Sequence, residues 1–268
     1  MLNKTPKLIA HRGNSSQAPE NTLAAFISAI QIPVDYIECD VQLSKDGVPV
    51  IIHDGTFHRI TNETHPNKVN ELLLEEIKLI DTGSWFDTSY SNQRVLTLEE
   101  LLLFPKGKIG VMVEVKEETF LACSMGKQIG DVIKRVTPRI SQYGPILLGS
   151  LSPNVLLCLE AYLPQQALLP IVKDLEDLDD FRPIHAKHYA FKHTLLNEEM
   201  ILEFHQNGIE VWAWTIDDKD TAFQLAALGL DGLITNQPKK MTGICHPSRE
   251  MVDNVANVVF QGRLKKVN

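Results

Sequence analysis

A chain of 268 residues is long enough for two small domains or for one closed barrel of alternating strands and helices, which takes about 250 residues. Its 44% hydrophobic and 22% charged residues exclude long disorder, and its net charge of -8 excludes the dominant basic face that a nucleic-acid surface needs, leaving room for a local basic pocket. No apolar run approaches the roughly 20 residues of a membrane span, and Met1-Leu2-Asn3-Lys4-Thr5-Pro6 holds no apolar signal core, so a cytoplasmic location is expected.

In chain order, a strand over residues 7–11 is followed by a helix that opens near Glu20-Asn21-Thr22 and runs to about residue 31. A second strand spans 36–43, with a further extended piece at 48–53 after the turn Lys45-Asp46-Gly47. Residues 55–95 turn polar and loop-rich, with a short helical stretch near 71–80, and are expected as an insertion. Helix resumes at 98–103 behind Thr97 as N-cap, then come a strand at 109–115 and a long helix at 118–136.

The second half keeps the rhythm. Strands are expected at 146–148, 167–172, 188–191, 210–214 and 232–234, with helices at 154–162, 175–181, 198–206 and 220–228. Strictly alternating strands and helices imply parallel strands with crossover helices, and eight strand positions favour a closed (β/α)8 TIM barrel over an open doubly wound sheet. The expected organisation is one barrel domain over 1–268, with a tail from about 240 that carries a helix near 249–259 and a basic end at Arg263, Lys265 and Lys266. Cys39, Cys123, Cys158 and Cys245 form no CxxC pair and are expected as reduced thiols. Cys39, between two acids on a strand, should face the helices.

Charged residues and histidines end several of the apolar runs. Glu38 and Asp40 are two apart on a strand and so share a face, where two oxygens suit a hard divalent cation, although a lone E-x-D is also read as a salt-bridged or solvent-facing pair. Glu114 and Lys116 repeat that geometry, supplying a third hard oxygen and a cation. His11 and His53 both end strands, where imidazoles can act as general acid and base, or can simply bond to backbone. Arg12 beside His11 offers a planar fork for phosphate oxygens or for one of the acids. Trp212 and Trp214 share a face; Trp214, at the strand's carboxyl end, is the better placed to wall a pocket. Trp85-Phe86 in the insertion suits either a small core or a lid. His58, His65, His185, His188, His193, His205 and His246 are expected at the surface or in packing.

His11-Arg12-Gly13, Pro19-Glu20-Asn21-Thr22, Glu38-x-Asp40, Asp46-Gly47, His53-Asp54, Arg59 with Thr61-Asn62, Glu114-x-Lys116, Trp214-Thr215 and Asp231-Gly232-x-x-Thr235 together resemble, in order and spacing, the glycerophosphodiester phosphodiesterase family. The resemblance covers residues 7 to about 238. It implies a TIM-type barrel with a segment inserted after the second strand, and hydrolysis of glycerophosphodiesters to glycerol 3-phosphate and an alcohol. It implies one divalent ion, Mg²⁺ or Ca²⁺ with Mn²⁺ as a further choice, held by Glu38, Asp40 and Glu114. By motif, His11 and His53 would be the acid–base pair, Arg12 and Lys116 would hold the phosphate, Glu20 would belong to the hydrogen-bonded loop of the site, and Trp214 would lie near the glycerol. The expected partner is a small-molecule glycerophosphodiester, with no nucleic acid and no transmembrane segment; the sequence leaves the oligomeric state open.

Two departures from the family pattern stand out, Thr235-Asn236-Gln237-Pro238 where Thr-Asp-x-Pro is usual and Ser16-Gln17-Ala18 where a glycine is common. Neither is expected to touch a candidate ligand or histidine. The competing functions are a lysophospholipase D-like activity on lysophospholipids and a barrel that binds phosphodiesters without catalysis.

Overall fold

The computed structural model describes residues 5–116, 122–140 and 142–247. Among the described residues nine strands lie in one sheet, β1 (Lys7–Ala10), β2 (Tyr36–Leu43), β3 (Pro49–Ile51), β4 (Gly110–Val115), β5 (Ile146–Ser150), β6 (Ala167–Val172), β7 (His188–Lys192), β8 (Glu210–Trp214) and β9 (Gly232–Thr235). Their order is β1-β9-β8-β7-β6-β5-β4-β2-β3, and β1 also pairs with β2, so eight parallel strands close on themselves as a TIM barrel. β3 stays outside the ring as an antiparallel partner of the end of β2, with Leu43 opposite Pro49. That hairpin is the extended piece expected at 48–53.

Side-chain alternation sorts each strand into two faces. Ile37, Cys39 and Val41 of β2 join Val211 and Ala213 of β8 in the layer between barrel and helices, as expected for Cys39. Inside the ring, Ile9, Met112, Leu147, Leu169, Ile171, Ala190, Trp212 and Ile234 form a separate apolar plug. Trp212 is fully buried and meets Tyr36 edge to face, with ring centroids 5.2 Å apart, so it fills the amino end of the barrel.

Of the helices α1 (Leu23–Ile30), α2 (Leu74–Ile77), α3 (Leu98–Leu103), α4 (Ala122–Val136), α5 (Pro153–Tyr162), α6 (Glu198–Gln206), α7 (Lys219–Ala227) and α8 (Pro238–Cys245), α1, α3, α5, α6 and α7 start behind side-chain caps. Thr22 accepts from the amide of Ala25 and Thr97 from that of Glu100, each satisfying a donor that the first turn leaves free. Glu100 returns a bond to the Thr97 amide, completing a capping box.

Three expectations change. Residues 175–181 form a 3-10 stretch instead of an α-helix; Leu178 and Phe181, three apart, both pack toward the core, a spacing that matches three residues per turn. The stretch expected at 71–80 is a 3-10 turn over Val69–Glu71 and the single-turn α2. The chain past the barrel turns helical at α8, which packs on β1; the helix expected at 249–259 lies outside the described residues. Cys123 and Cys158, expected as separate thiols, form a disulfide whose Cα atoms lie 5.1 Å apart. α4 and α5 pack closely because Gly126 and Gly130 carry no Cβ: one at Gly130 would lie 2.3 Å from the Tyr162 ring. The disulfide spans 35 residues of sequence, too far apart for any local Cys spacing to show it. Cys39 and Cys245 are free and buried.

The insertion has a core of its own. Val50, Ile52, Phe57, Ile60, Val69, Ile77, Ile80 and Val95 are buried together, with Trp85 packed against them. It is tied to the barrel where the Tyr90 hydroxyl donates to the carbonyl of Gln17 at 3.1 Å and Gln93 accepts from the amide of Ala24 at 3.0 Å. Among the described residues no helix is long and apolar enough to cross a membrane.

Candidate active site at the carboxyl mouth of the barrel

The loop after β1 builds one side of the site. The His11 amide donates to the carbonyl of Thr235 at 2.9 Å, extending the pairing of β1 with β9. The chain then turns sharply through Arg12 (φ 57) and Gly13 (φ 82), both in the left-handed region. Gly13 is required there twice over, since a Cβ would also lie 2.8 Å from that of Ala25 on α1. The turn sends the Arg12 amide to Glu38 Oε2 at 2.7 Å and its guanidinium to Glu20 at 3.0 Å and Asp40 at 3.1 Å. Asn21, also left-handed at φ 58, donates from Nδ2 to Asp40 Oδ2 at 2.8 Å.

The other side comes from β2 and β4, which run parallel with Asp40 directly beside Glu114. Glu38, Asp40 and Glu114 each offer a carboxylate oxygen, all within 4.8 Å of one another, and all three residues are buried. Lys116 lies 2.8 Å from Asp40 and also bonds to Glu114. The charges are therefore unequal in their surroundings. Burial alone would raise the pKa of Asp40, but Lys116 and Arg12 beside it hold the carboxyl well below the usual range. Glu38 goes the other way, raised well above its ordinary value by burial and then by the neighbouring Asp40 and Glu114. Glu114 is raised too, chiefly by burial and only partly offset by Lys116.

Oε1 of Glu38 is buried with no hydrogen-bond partner among the described residues. An unpartnered carboxylate oxygen beside two further acids is costly to bury and fits a hard divalent cation, whose preferred ligands are carboxylate oxygens.

His11 borders a small cavity with Glu38, Met112, Glu114, Ile171, Trp214 and Ile234. Its Nδ1 lies 2.7 Å from Oδ1 of Asn236. Burial, reinforced by Arg12, lowers its pKa to about 4, so the imidazole is neutral near neutral pH. His53 follows β3, with Nδ1 2.7 Å from Asp54, which pairs through its other oxygen with Arg59 at 2.7 Å. Arg59 bridges on to Glu20 at 2.7 Å and stacks on Trp85 at 5.5 Å. His53, Glu20 and Arg59 line a second small cavity. An unbroken polar chain thus runs from His53 through Asp54, Arg59, Glu20 and Arg12 to Asp40. Trp214 donates from its indole to the carbonyl of Ala190 at 3.3 Å, which fixes its ring at the cavity wall.

All nine candidate residues, His11, Arg12, Glu20, Glu38, Asp40, His53, Glu114, Lys116 and Trp214, lie at this end of the barrel. Arg12 and Lys116 are ion-paired with the acids. Of the remaining histidines, His205 pairs with Asp231 at 2.7 Å and His188 with Glu210 at 3.5 Å, both at the amino end of the barrel. His193 lies beside the site, its Nδ1 3.3 Å from the carbonyl of Trp214.

Sequence reasoning missed four residues. Gln42 donates to the carbonyls of His53 at 2.9 Å and Asp54 at 2.7 Å, pinning the turn that carries His53; it sits two past Asp40 on the same strand face, a signal that was available. Asn21 and Arg59 belong to quoted motifs but had no role. Asn236, expected to touch no candidate histidine, bonds directly to His11, because the loop after β9 closes over the loop after its barrel neighbour β1.

A closed parallel barrel whose carboxyl mouth gathers three buried carboxylates, two cations and two imidazoles is built as an enzyme for an anionic substrate. The family model described as "Glycerophosphoryl diester phosphodiesterase family" matches residues 11–240. The Bacillus subtilis (strain 168) protein YhdW, named as a candidate glycerophosphodiester phosphodiesterase, is 34% identical over 86% of this chain and 94% of its own. A glycerophosphodiester phosphodiesterase of Caldanaerobacter subterraneus is 29% identical over 88% of this chain and 96% of its own. Among solved structures, an Oleispira antarctica phosphodiesterase in complex with the product sn-glycerol-3-phosphate superposes with a TM-score of 0.80 at 27% identity, covering 90% of this chain and 96% of that one. This chain belongs to the glycerophosphoryl diester phosphodiesterase family.

Proposed function

We propose that the mouth hydrolyses glycerophosphodiesters, such as glycerophosphocholine or glycerophosphoethanolamine, to sn-glycerol 3-phosphate and an alcohol, as one barrel domain with an insertion at 55–95 and a tail from about 240. The observation that carries this reading is the buried Glu38–Asp40–Glu114 cluster beside His11, within a chain similar to a phosphodiesterase that binds sn-glycerol-3-phosphate. Glu38, Asp40 and Glu114 would hold one divalent ion, Mg²⁺, Ca²⁺ or Mn²⁺. Bound there, the ion would offset phosphate charge as a Lewis acid.

A phosphodiester resists attack because its anionic oxygens repel nucleophiles, so the protein must neutralise charge and move protons. Arg12 and Lys116 supply fixed positive charge beside the carboxylates, with burial opposing it and Asp40 holding both protonated. Glu20, gripped by Arg59, orients the Arg12 fork. One imidazole of the pair His11 and His53 takes the proton of the attacking oxygen, which is water or the substrate's own glycerol hydroxyl. The other returns a proton to the alcohol oxygen as its bond to phosphorus breaks. Trp214 presents an aromatic wall to the glycerol.

Turnover of a panel of glycerophosphodiesters by the purified chain, with sn-glycerol 3-phosphate measured as product, tests this. Release of that product is expected. Release of lysophosphatidic acid from lysophosphatidylcholine alone would favour the lysophospholipase D-like activity, and binding without turnover would favour the non-catalytic barrel.

A further inference from the structure

Behind His11, beyond Asn236, stands a carboxylate that the proposed mechanism does not use. Asp217, in the loop after β8, accepts three hydrogen bonds: from Thr235 Oγ1 at 2.8 Å, from the Asn236 amide at 2.8 Å and from Asn236 Nδ2 at 2.7 Å. An ionised carboxylate only accepts, so the nitrogen of the Asn236 side chain must face Asp217. The amide oxygen is thereby turned toward His11 Nδ1, 2.7 Å away. That oxygen also only accepts, and the bond therefore requires a proton on Nδ1. The Ser15 hydroxyl, 3.0 Å from the same oxygen and 2.8 Å from the carbonyl of His11, has one proton for the two acceptors and leaves the amide's orientation to Asp217.

We infer that Asp217 is a positioning residue that acts through Asn236 to hold His11 in its Nδ1–H tautomer, leaving Nε2 as the nitrogen offered to the reaction. This rests on the proposed role of His11. The partner of one ring nitrogen sets which form the other presents, and here three loops act together. The loop after β1 carries the ring, the one after β9 carries the amide, and the one after β8 carries the carboxylate that decides which way the amide points. The arrangement also differs from that of His53, whose Nδ1 meets the carboxylate of Asp54 directly. His11 is instead held by a neutral group whose orientation is borrowed from a charge one residue further back.

The test is ¹⁵N NMR of the full chain labelled at histidine, with the His11 signals identified by their loss in His11→Gln. Wild-type protein is expected to show a protonated Nδ1 and an unprotonated Nε2 at His11. Asp217→Ala frees the Asn236 amide to turn over, and a mixture of tautomers should appear. It should lower kcat by about 10-fold or more with KM little changed, the scale on which outer partners of an active imidazole act. Asp217→Asn sets an amide donor against either the Asn236 Nδ2 or the Asn236 N–H, and should disturb the tautomer and lower kcat as the alanine variant does. An Nε2-protonated His11 in wild type overturns the inference, as does an Asp217→Ala protein with an unaltered His11 spectrum. If the alanine variant does not fold, the wild-type spectrum still decides. The tautomer is read without turnover: the predicted spectrum in a protein that hydrolyses no glycerophosphodiester would defeat the proposed activity and leave the positioning role standing.

Discussion

The two ends of the barrel both carry charged side chains and use them in opposite ways. At the amino end, Lys7 meets Glu210 at 2.6 Å, Asp231 accepts from His205 and from the Val211 amide, and Asp35 accepts from the Leu8 amide at 2.7 Å. Each acid there is answered by a base or a backbone donor, over a plug of Trp212 and Tyr36. At the carboxyl end, Glu38, Asp40 and Glu114 crowd together, Glu38 keeps an oxygen without a partner among the described residues, and the pKa values of neighbouring acids are driven apart. Balanced charge closes one end, and unbalanced charge prepares the other for a ligand.

Replacing a mouth acid sharpens the contrast most. Glu38→Gln keeps an acceptor for the Arg12 amide but removes the charge, and activity should fall by about 10³-fold, as for loss of one strong electrostatic contact to a developing charge. Stability without metal should move the other way. The folded state keeps a proton on Glu38 that the unfolded chain releases above its ordinary 4.5, so wild-type stability falls as pH rises from there toward the raised value. Thermal unfolding in chelator should show that slope flattened in Glu38→Gln, and an unchanged slope would remove Glu38 from the electrostatic account.

The imidazoles come next. His11→Ala and His53→Ala should each cost at least about 10²-fold in kcat with folding intact by circular dichroism, and a near-wild-type rate removes that residue from the mechanism. The smallest effect belongs to the amino end. Lys7→Met breaks a partly exposed pair and should cost at most about 1 kcal/mol in denaturant unfolding while leaving kcat unchanged. A large loss of activity there would break the division between the ends.

Strand parity made much of the mouth legible in sequence. Residues two apart on a barrel strand share a face, so Glu38 with Asp40 and Glu114 with Lys116 could be placed before any contact was known, and the ordered motifs joined them to His11 and His53. The same parity put Trp212 and Trp214 on one face and turned Cys39 toward the helices. Contacts between separate loops were not legible. Nothing near position 236 shows that its side chain reaches His11, and nothing near Cys123 shows that α4 meets α5 at Cys158. Residues 175–181 carry the apolar spacing of a helix, but the core contacts of Leu178 and Phe181, three apart, suit the tighter 3-10 path.

The most direct test of the account is hydrolysis of glycerophosphocholine before and after chelation, followed through release of sn-glycerol 3-phosphate. Activity should disappear with the chelator and return on addition of Mg²⁺, Ca²⁺ or Mn²⁺ in wild type, but not in Glu38→Gln. Hydrolysis that continues undiminished in chelator would contradict the assignment of the three carboxylates.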